Sequence, residues 1–512
     1  GAFILIVLIV AVLYLNTLPA PFQWDDYINI VNNQALRRLD RPDEIFLFWP
    51  SRFVLFLTLA LNYRIGMLNI TGYHLFNIII LIGSSFLVYL IFLRFSGREP
   101  KIHLFWRRRL ALLAALIFAA HPLQTQSVTY IIQRGASLSG FFCLLSLFLY
   151  IRSRSPRRRT IYYLGAWMAA LLAAFTKEGA AVLPLFIIIW DLFFGPRRKL
   201  SRKIKSWIPF ILIPVILLSV IFFFPRAGGS DYYYQANLQS SPRPLRLVDT
   251  DTPITSRYVY FLSQINAVRT YLRLLFFPFR QSIYYDSRIP STIFKLPVFL
   301  SALFLAAVLL IGIRFLIKKK GVGYGIVFFF ISLIPTSSIF ILWPLISEHH
   351  LYLGVAGFAW FLAFALGTLI VRRRLILVRV FGGIIILSLA LLCFFRNLLW
   401  TEAPALWKDA LNKAPHLASL HYHLGSAYMR VGDFEKVIEQ SQKAFELDPD
   451  YDAYHNLWAA YHNLGRYQKA EDVALSRLKR HPESYQAWLA NGITLMKTGE
   501  LEKAEAAVKK AL

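Results

Sequence analysis

Charged residues are scarce in this sequence. Asp, Glu, Lys and Arg account for 16% of its 512 residues and hydrophobic residues for 57%, compared with about 45–50% in soluble proteins. This shortage of charge excludes a soluble globular enzyme. The only cysteines, Cys143 and Cys393, lie within apolar runs and form no disulfide framework. The sequence lacks a Gly-rich phosphate loop, a Walker pattern and a Gly-x-Ser-x-Gly nucleophile elbow, which argues against a soluble nucleotide donor.

Acidic residues are the rarer of the two charge types, and the charge is unevenly distributed. The chain has 56 Lys and Arg against 28 Asp and Glu, a net charge of +28. Residues 401–512 hold 14 Lys and Arg and 15 Asp and Glu, so the basic excess lies in the apolar residues 1–400. A basic excess confined to apolar sequence is typical of the cytoplasmic loops of a membrane protein, and not of a nucleic-acid-binding surface.

Apolar runs that approach the roughly 20 residues needed to cross a bilayer recur throughout residues 1–400. We count eleven, at 2–18, 73–93, 110–121, 136–151, 161–175, 179–194, 207–224, 297–317, 323–342, 351–371 and 380–399. The predicted fold is therefore all-α, a polytopic membrane helix bundle of about 11 transmembrane helices.

The connections between these runs predict the orientation of the bundle. Five connections are rich in Lys and Arg, at 94–109, 152–159, 197–205, 314–320 and 372–379. The positive-inside rule places them in the cytoplasm. The intervening connections carry most of the acids and are then external. Two of these, 19–72 and 225–296, are long, and because long ordered loops are usually functional, we expect the chemistry on the external face.

Residues 401–512 follow a different pattern, a repeat of 33 to 34 residues. It appears in three Gly-led turns, at 432–434, 465–467 and 499–501, and in Pro415, Pro449 and Pro482. This is the period of tetratricopeptide repeat (TPR) helix pairs. We therefore predict a transmembrane domain at 1–400 and a short TPR solenoid at 401–512, external because the eleventh run exits outward.

An acidic pair follows the first apolar run. Asp25 and Asp26 are flanked by Trp24 and Tyr27. A carboxylate at a membrane surface loses part of its hydration, so its pKa rises and it can act as a general base. An ordinary helix cap or turn acid is the alternative.

Cations mark several predicted outer ends of the runs, namely Arg52, Arg134, Lys177 beside Glu178, and Arg257. Charges near hydrocarbon are usually paired or functional, and Arg makes bidentate phosphate contacts. Together they could bind a lipid phosphate, or each could snorkel or form an internal salt bridge.

A third group contains His121, Glu348 and His349. These side chains could ligate a divalent metal or orient a sugar, although they have no fixed ligand spacing and satisfied structural histidines are the alternative. No other cofactor is indicated.

Several motifs occur together in a particular order. They are Trp24-Asp-Asp-Tyr-Ile-Asn-Ile-Val-Asn-Asn33, Arg52 to Tyr63 with Gly72 to Asn77, His121-Pro-Leu-Gln-Thr-Gln-Ser-Val128 with Gln133-Arg134, Thr176-Lys-Glu178, Glu348-His-His-Leu-Tyr352 and the TPR tail. Over essentially the whole chain, this combination resembles the transmembrane and tetratricopeptide repeat-containing O-mannosyltransferase family and its bacterial relatives. Two departures are His350, where the family usually has Arg, and a shorter TPR array.

The resemblance implies a C-type glycosyltransferase (GT-C) fold that takes a sugar from a polyprenyl phosphate on its outer face. It implies that Asp25 is the base and Asp26 positions it. Arg134, Lys177, Arg52 and Arg257 would hold the departing phosphate, and His121, Glu178, Glu348 and His349 would line the cavity. Because Gln126 stands where eukaryotic members often have an acid, the resemblance favours a bacterial inner membrane over the endoplasmic reticulum.

The resulting hypothesis is an inverting glycosyltransferase that moves a single, mannose-like sugar. The acceptor is a hydroxyl of a protein or glycan, with a protein or peptide acceptor docking on the TPR groove. Nucleic acid is not an expected partner. The alternatives are an oligosaccharide ligase or polymerase that uses polyprenyl-diphosphate glycans, and a non-catalytic membrane-anchored TPR scaffold.

Overall fold

The computed structural model describes residues 1–96, 103–155, 159–224, 257–287, 289–290, 292–339, 344–371, 374–448, 451 and 453–512. Helices form the regular secondary structure of these ranges, which contain no strand. The prediction of an all-α fold is confirmed.

The membrane part of the chain contains fifteen α-helices within the described ranges. The first ten are α1 (Ala2–Tyr14), α2 (Pro42–Phe48), α3 (Phe53–Gly66), α4 (Ile70–Ser96), α5 (Leu104–Ala120), α6 (Thr125–Val128), α7 (Arg134–Arg152), α8 (Arg159–Ala174), α9 (Leu183–Phe193) and α10 (Leu200–Phe223). The others are α11 (Arg257–Phe276), α12 (Leu296–Ile317), α13 (Gly321–Ile334), α14 (Tyr352–Val371) and α15 (Leu375–Leu398). Each of the eleven predicted apolar runs coincides with one of these helices.

Six helical segments in the described ranges are long and apolar enough to cross a membrane. They are Ile70–Ser96, Ile131–Arg152, Leu200–Phe223, Leu296–Ile317, Glu348–Val371 and Leu375–Leu398. Two further segments, Pro42–Gly66 and Leu104–Val128, pass the same test only as bent pairs, which gives up to 8 spans. The chain is thus an integral membrane protein, and several of the eleven predicted runs form helices shorter than a full span.

The two predicted external loops differ in what the structure shows. The first contains α2 and α3, which meet at a bend of 112° where Pro50 cannot continue the preceding helix. In the second loop, residues 225–256 lie outside the described residues. The described part of this loop contains α11, whose Tyr260, Leu262 and Tyr271 are buried.

The chain divides into two compact units, and the second begins at Glu402. It contains α16 (Ala403–Lys413), α17 (Ala418–Arg430), α18 (Phe434–Leu447), α19 (Tyr454–Asn463), α20 (Tyr467–Arg480), α21 (Tyr485–Thr498) and α22 (Leu501–Ala511), together with residues 282–287. Gly432, Gly465 and Gly499 have positive φ angles of 76°, 70° and 87° at the turns between paired helices. Glycine suits these turns because it has no Cβ to clash.

A buried arginine connects three helices of the membrane unit. Arg134, at the start of α7, donates from Nε to Asn77 Oδ1 at 2.7 Å, from Nη1 to the Thr58 carbonyl at 3.2 Å and from Nη2 to the Tyr73 carbonyl at 3.1 Å. Its guanidinium also lies 4.5 Å from the centre of the Phe76 ring. These contacts bind α7 to α3 and α4, so they fix where α7 begins.

Helices α13 and α14 approach each other backbone to backbone. A Cβ atom added to Gly325 would lie 2.6 Å from the Gly357 carbonyl oxygen, and one added to Gly357 would lie 2.7 Å from the Gly325 carbonyl oxygen. Close crossings of membrane helices use small residues for this reason. The crossing holds α14, whose N-terminal end carries His349 and His350.

We predict that Arg134→Met lowers the free energy of unfolding by about 2–4 kcal/mol, because the Asn77 oxygen and two carbonyls lose a charged donor. The midpoint of thermal unfolding in detergent should fall, while Arg257→Met, at an exposed position, should leave it unchanged. An Arg134→Met protein with an unaltered midpoint would contradict the structural role of this network.

We also predict that Gly325→Ala destabilises the protein by about 1–3 kcal/mol, because the added methyl group meets backbone atoms that cannot move independently. Gly383→Ala is the matched control, since nothing lies within 4 Å of a Cβ added there. Thermal unfolding of both variants in the same detergent tests this. Equal midpoints for the two variants would show that the helices separate at little cost.

Candidate active site

The acidic pair lies in the loop after α1, and its two carboxylates have different surroundings. Asp26 is buried, and its Oδ2 accepts from the Gln23 backbone N–H at 2.9 Å while its Oδ1 accepts from the Ile132 N–H at 2.7 Å. The bond from Gln23 closes a turn within the loop, and the bond from Ile132 attaches the loop to the segment before α7. Both carboxylate oxygens of Asp26 therefore serve the fold.

Asp25 is partly exposed, although it is adjacent to a buried residue. Its backbone N–H donates to the Tyr130 hydroxyl at 2.9 Å, and the same hydroxyl opposes the rise in the pKa of its carboxyl. The preceding Trp24 has a φ of 37°, a conformation that costs energy for a residue other than glycine. The strained turn presents Asp25 towards the site while Asp26 stays inside.

Burial raises the pKa of both carboxyls, but the surrounding charges separate them. Burial, strengthened by the charge of Asp25, raises the pKa of Asp26 to about 8. Burial also raises the pKa of Asp25, and its hydrogen bond with Tyr130 and the charges of Arg52 and Lys177 oppose that rise. The charges of Arg52 and Lys177 thus favour the ionised form of Asp25.

Arg52 lies immediately before α3 and binds Glu178. Its Nε lies 3.1 Å from each Glu178 carboxylate oxygen and its Nη2 lies 3.0 Å from Oε2, while Ser51 donates to Oε1 at 2.8 Å. Although burial would raise the pKa of Glu178, the charge and hydrogen bonds of Arg52 lower it to about 2. The guanidinium also packs over the Trp49 ring at 4.1 Å. Glu178 thus orients Arg52, whose side chain is 23% exposed.

Lys177 lies between α8 and α9 and is the second cation beside Asp25. Its Nζ donates to Gln133 Oε1 at 3.0 Å. Burial and the neighbouring charge of Arg52 lower the pKa of Lys177 to about 7, against the opposing effects of Glu178 and Asp25. An anion placed beside this amine would favour its protonated form.

The segment before α14 contributes two histidines. Gln126 Oε1 accepts from the His349 backbone N–H at 2.7 Å and lies 3.2 Å from its Nδ1. His350 packs against His349 with ring centres 4.5 Å apart. Both imidazoles lie within electrostatic range of Arg52 and Lys177. Glu348 is buried behind them and accepts from Gln281 at 2.8 Å.

Asp25, Arg52, Lys177, His349 and His350 thus form one group of partly exposed side chains, which we call the polar rim. Four helices begin beside it, at Phe53, Arg134, Leu183 and Tyr352. Helix N-termini carry partial positive charge, which favours a bound anion. The rim therefore places one partly exposed carboxylate within electrostatic range of two cations.

Three residues predicted for the site lie elsewhere or are occupied. Arg134 is buried in the network that connects α3, α4 and α7, so its guanidinium is directed into the fold and not to a phosphate. His121 is also buried, with Nε2 3.0 Å from the Leu275 carbonyl and Nδ1 accepting from the Leu123 N–H at 3.3 Å. Arg257 is exposed at the start of α11, and no hydrogen bond or ion pair within the described ranges connects it to the polar rim.

A metal site was the other possibility for the histidines and acids. Within the described ranges, no group of three or more His, Cys, Asp and Glu side chains is arranged to hold a metal ion. Both nitrogens of His121 already have backbone partners. The polar rim combines one carboxylate and two imidazoles with two cations, and the charges of Arg52 and Lys177 repel a metal ion and attract an anion.

Sequence reasoning did not assign roles to Tyr130, Gln133, Gln126 and His350. Three of these four lie within the motifs that carry the family resemblance, so their position in those motifs was the available signal. Tyr130 lies between two such motifs, and nothing local marks it as a partner of a residue 105 positions earlier.

Comparisons with known proteins agree with the motifs. A tetratricopeptide repeat family matches residues 418–451. "Protein O-mannosyl-transferase F38B6.6" of Caenorhabditis elegans is 25% identical over 459 residues, which cover 86% of this chain and 61% of that protein. "Protein O-mannosyl-transferase TMTC3" of Homo sapiens is 25% identical over 510 residues, which cover 91% of this chain and 54% of that protein. The chain thus spans between half and two thirds of the length of these relatives.

Among solved structures, the chain is similar to ArnT from Cupriavidus metallidurans bound to undecaprenyl phosphate. It is 14% identical, with a TM-score of 0.40, and the match covers 94% of this chain and 80% of ArnT. The relationship therefore rests on sequence. The resemblance that the motifs indicate is confirmed, and this chain is a relative of the TMTC protein O-mannosyl-transferases that carries a tetratricopeptide repeat.

Proposed function

We propose that this protein is a membrane glycosyltransferase that moves one mannose-like sugar from a polyprenyl-phosphate donor to a hydroxyl of a protein or glycan. The observation that carries the proposal is the position of the partly exposed Asp25 carboxylate beside Arg52 and Lys177. Its relatives bear the name of O-mannosyl-transferases, which supports the choice of sugar and acceptor class.

The transfer is a single displacement. Asp25 takes the proton of the acceptor hydroxyl, and the acceptor oxygen forms a bond to the anomeric carbon. The bond from that carbon to the phosphate oxygen breaks, and the phosphate leaves with the electron pair. Because attack and departure occur on opposite faces, the configuration inverts. Phosphate is a good leaving group, so deprotonation and charge stabilisation are the contributions that the protein makes.

Arg52 and Lys177 stabilise the departing phosphate in complementary ways. Glu178 fixes the guanidinium of Arg52. The lipid donor therefore binds a cation that is already oriented, and little conformational entropy is lost when it binds. Lys177 has no carboxylate at hydrogen-bond distance in the described ranges, and its charge responds to the anion it meets. The polar rim thus combines one preorganised cation with one adaptable cation.

The remaining assignments follow from the predicted topology. Residues 1–400 form the transferase domain with its site on the external face, and residues 401–512 form a TPR domain on the same side of the membrane, which binds the protein or peptide acceptor. A bacterial inner membrane is the proposed location. Repeat grooves bind extended peptides and helices by shape and a few polar contacts.

A panel of lipid donors tests this function. The purified protein is offered polyprenyl-phosphate monosaccharides and polyprenyl-diphosphate glycans, with and without EDTA, and the products are followed by mass spectrometry. We expect consumption of a monosaccharide phosphate, with mannose preferred. Consumption of the diphosphate-linked glycan alone would indicate a ligase or polymerase, and consumption of neither would favour a scaffold.

Asp25→Asn should reduce the rate of transfer by at least about 10²-fold, the usual contribution of a positioned general base. Donor binding should persist, because the cations remain. Asp43→Asn is the matched control, an identical change at a half-exposed acid paired with Arg41 in the same external segment. Transfer assays on both variants decide the point, and an active Asp25→Asn protein would remove Asp25 from the mechanism.

The donor KM should rise above about pH 7, because Lys177 has its pKa lowered to about 7 and loses its charge as the pH increases. Below that pH the amine is protonated and attracts the phosphate. Lys177→Arg should remove this dependence, since the guanidinium stays charged at every assay pH. KM measured from pH 6 to 9 for both proteins tests this, and parallel profiles would exclude Lys177 as the titrating group.

A further inference from the structure

We propose that Tyr130 is a positioning residue for the general base, and that Trp400 keeps Tyr130 in place. This inference rests on the proposed function, because it assumes that Asp25 accepts the proton of the acceptor. The inference goes beyond the proposed function because it assigns a role to two aromatic residues that lie far from Asp25 in sequence.

The Tyr130 hydroxyl lies against the backbone of Asp25, where it accepts from the Asp25 N–H at 2.9 Å. A tyrosine hydroxyl accepts with its lone pairs and keeps its one hydrogen to donate. That hydroxyl also lowers the pKa of the Asp25 carboxyl, against the rise that burial causes. One side chain thus fixes the backbone of Asp25 and favours the charge of its carboxylate.

The aromatic ring that carries this hydroxyl is itself held in place. Tyr130 is buried and stacks on Trp400 with ring centres 5.7 Å apart and planes at 30°. The backbone on either side of it is also bound, because Asn77 Nδ2 donates to the Val128 carbonyl at 2.9 Å and the Ile132 N–H donates to Asp26. The hydroxyl therefore has little freedom to leave Asp25.

If Tyr130 only held the loop in place, its hydrogen bond with Asp25 would duplicate an attachment that the loop already has. Asp26 already attaches the loop to the segment before α7 through the bond from the Ile132 N–H. The additional bond from Tyr130 goes to the residue whose carboxylate is partly exposed. A hydrogen bond donated to a carboxylate favours its ionised form, which is the form that accepts a proton.

The electrostatic part of this role predicts a change in pH dependence. In Tyr130→Phe, the Asp25 carboxylate loses a donor that favours its charge. The acidic limb of the kcat profile should therefore move by about one pH unit to higher pH. At the pH where the unmodified protein is half-maximally active, kcat should fall about fivefold. A loss of packing alone would lower kcat at every pH without moving the limb.

Tyr324→Phe is the matched control. Tyr324 is also buried, its hydroxyl donates to the Phe186 carbonyl at 3.4 Å, and it lies outside the polar rim. We expect the pH profile of Tyr324→Phe to match that of the unmodified protein. Trp400→Leu provides a second test of the proposal, because it removes the ring that stacks on Tyr130 and leaves the Tyr130 hydroxyl present. It should move the acidic limb of the kcat profile in the same direction as Tyr130→Phe, by a smaller amount.

Infrared titration of the full chain measures the same effect without catalysis. The carbonyl band of protonated Asp25 is isolated by subtracting the spectrum of Asp25→Asn. Its midpoint should lie at higher pH in Tyr130→Phe than in the unmodified protein. An unchanged midpoint together with an unchanged acidic limb would overturn the role of Tyr130.

The outcomes also separate this inference from the proposed function. If Asp25→Asn retains transfer, the assignment of the base fails and the Tyr130 inference fails with it. If Asp25→Asn is inactive and Tyr130→Phe has an unshifted profile, only the Tyr130 inference fails. If Tyr130→Phe does not fold, the Trp400→Leu profile decides the matter, and an unshifted limb in that variant rejects the inference.

Discussion

The cost of burying charge in an apolar bundle governs the arrangement of this protein. Each ion removed from water loses several kcal/mol of solvation unless a partner replaces the water. Arg134 meets this requirement with three acceptors on two other helices, and Glu178 meets it with the Arg52 guanidinium and the Ser51 hydroxyl. These pairings position the helix ends, so the location of the site follows from the way in which buried charges are satisfied.

The same requirement separates structural from chemical groups within one cluster. Asp25 and Asp26 are adjacent in sequence, yet only Asp26 has both oxygens engaged by the backbone. Arg52 and Lys177 are both near Asp25, but Glu178 binds Arg52 directly and an uncharged glutamine binds Lys177. The pairings leave one partly exposed carboxylate, Asp25, and one amine, Lys177, whose pKa is lowered to about 7. A transfer that removes one proton and releases one anion needs such groups.

The sequence predicted the helices well, because hydropathy along a run is a local property. It also assigned Asp25, Arg52 and Lys177 to one site, since the order of motifs carried that association, and their joint action stays a prediction. It could not predict the surroundings of Arg134 and His121, whose partners come from positions up to 154 residues away. The role of Tyr130 could not be predicted for the same reason, because its partner Asp25 lies 105 positions away. An isolated tyrosine beside an apolar run resembles any core tyrosine until the fold brings it to Asp25.

The ends of α7 and α9 that lie away from the polar rim carry buried charged side chains. Partial exposure of charge is therefore not a general feature of this bundle. There Asp191 Oδ2 accepts from Tyr150 and from Trp207, each at 3.0 Å, and it pairs with Arg154 at 3.4 Å. The side chains of Arg154 and Asp191 are only 6% and 1% exposed. This ion pair connects helices, and its buried side chains are not accessible to a substrate. The polar rim contains the same residue types, but its Asp25 and Lys177 are partly exposed. This difference favours a role for the polar rim in substrate binding or catalysis over a purely structural one.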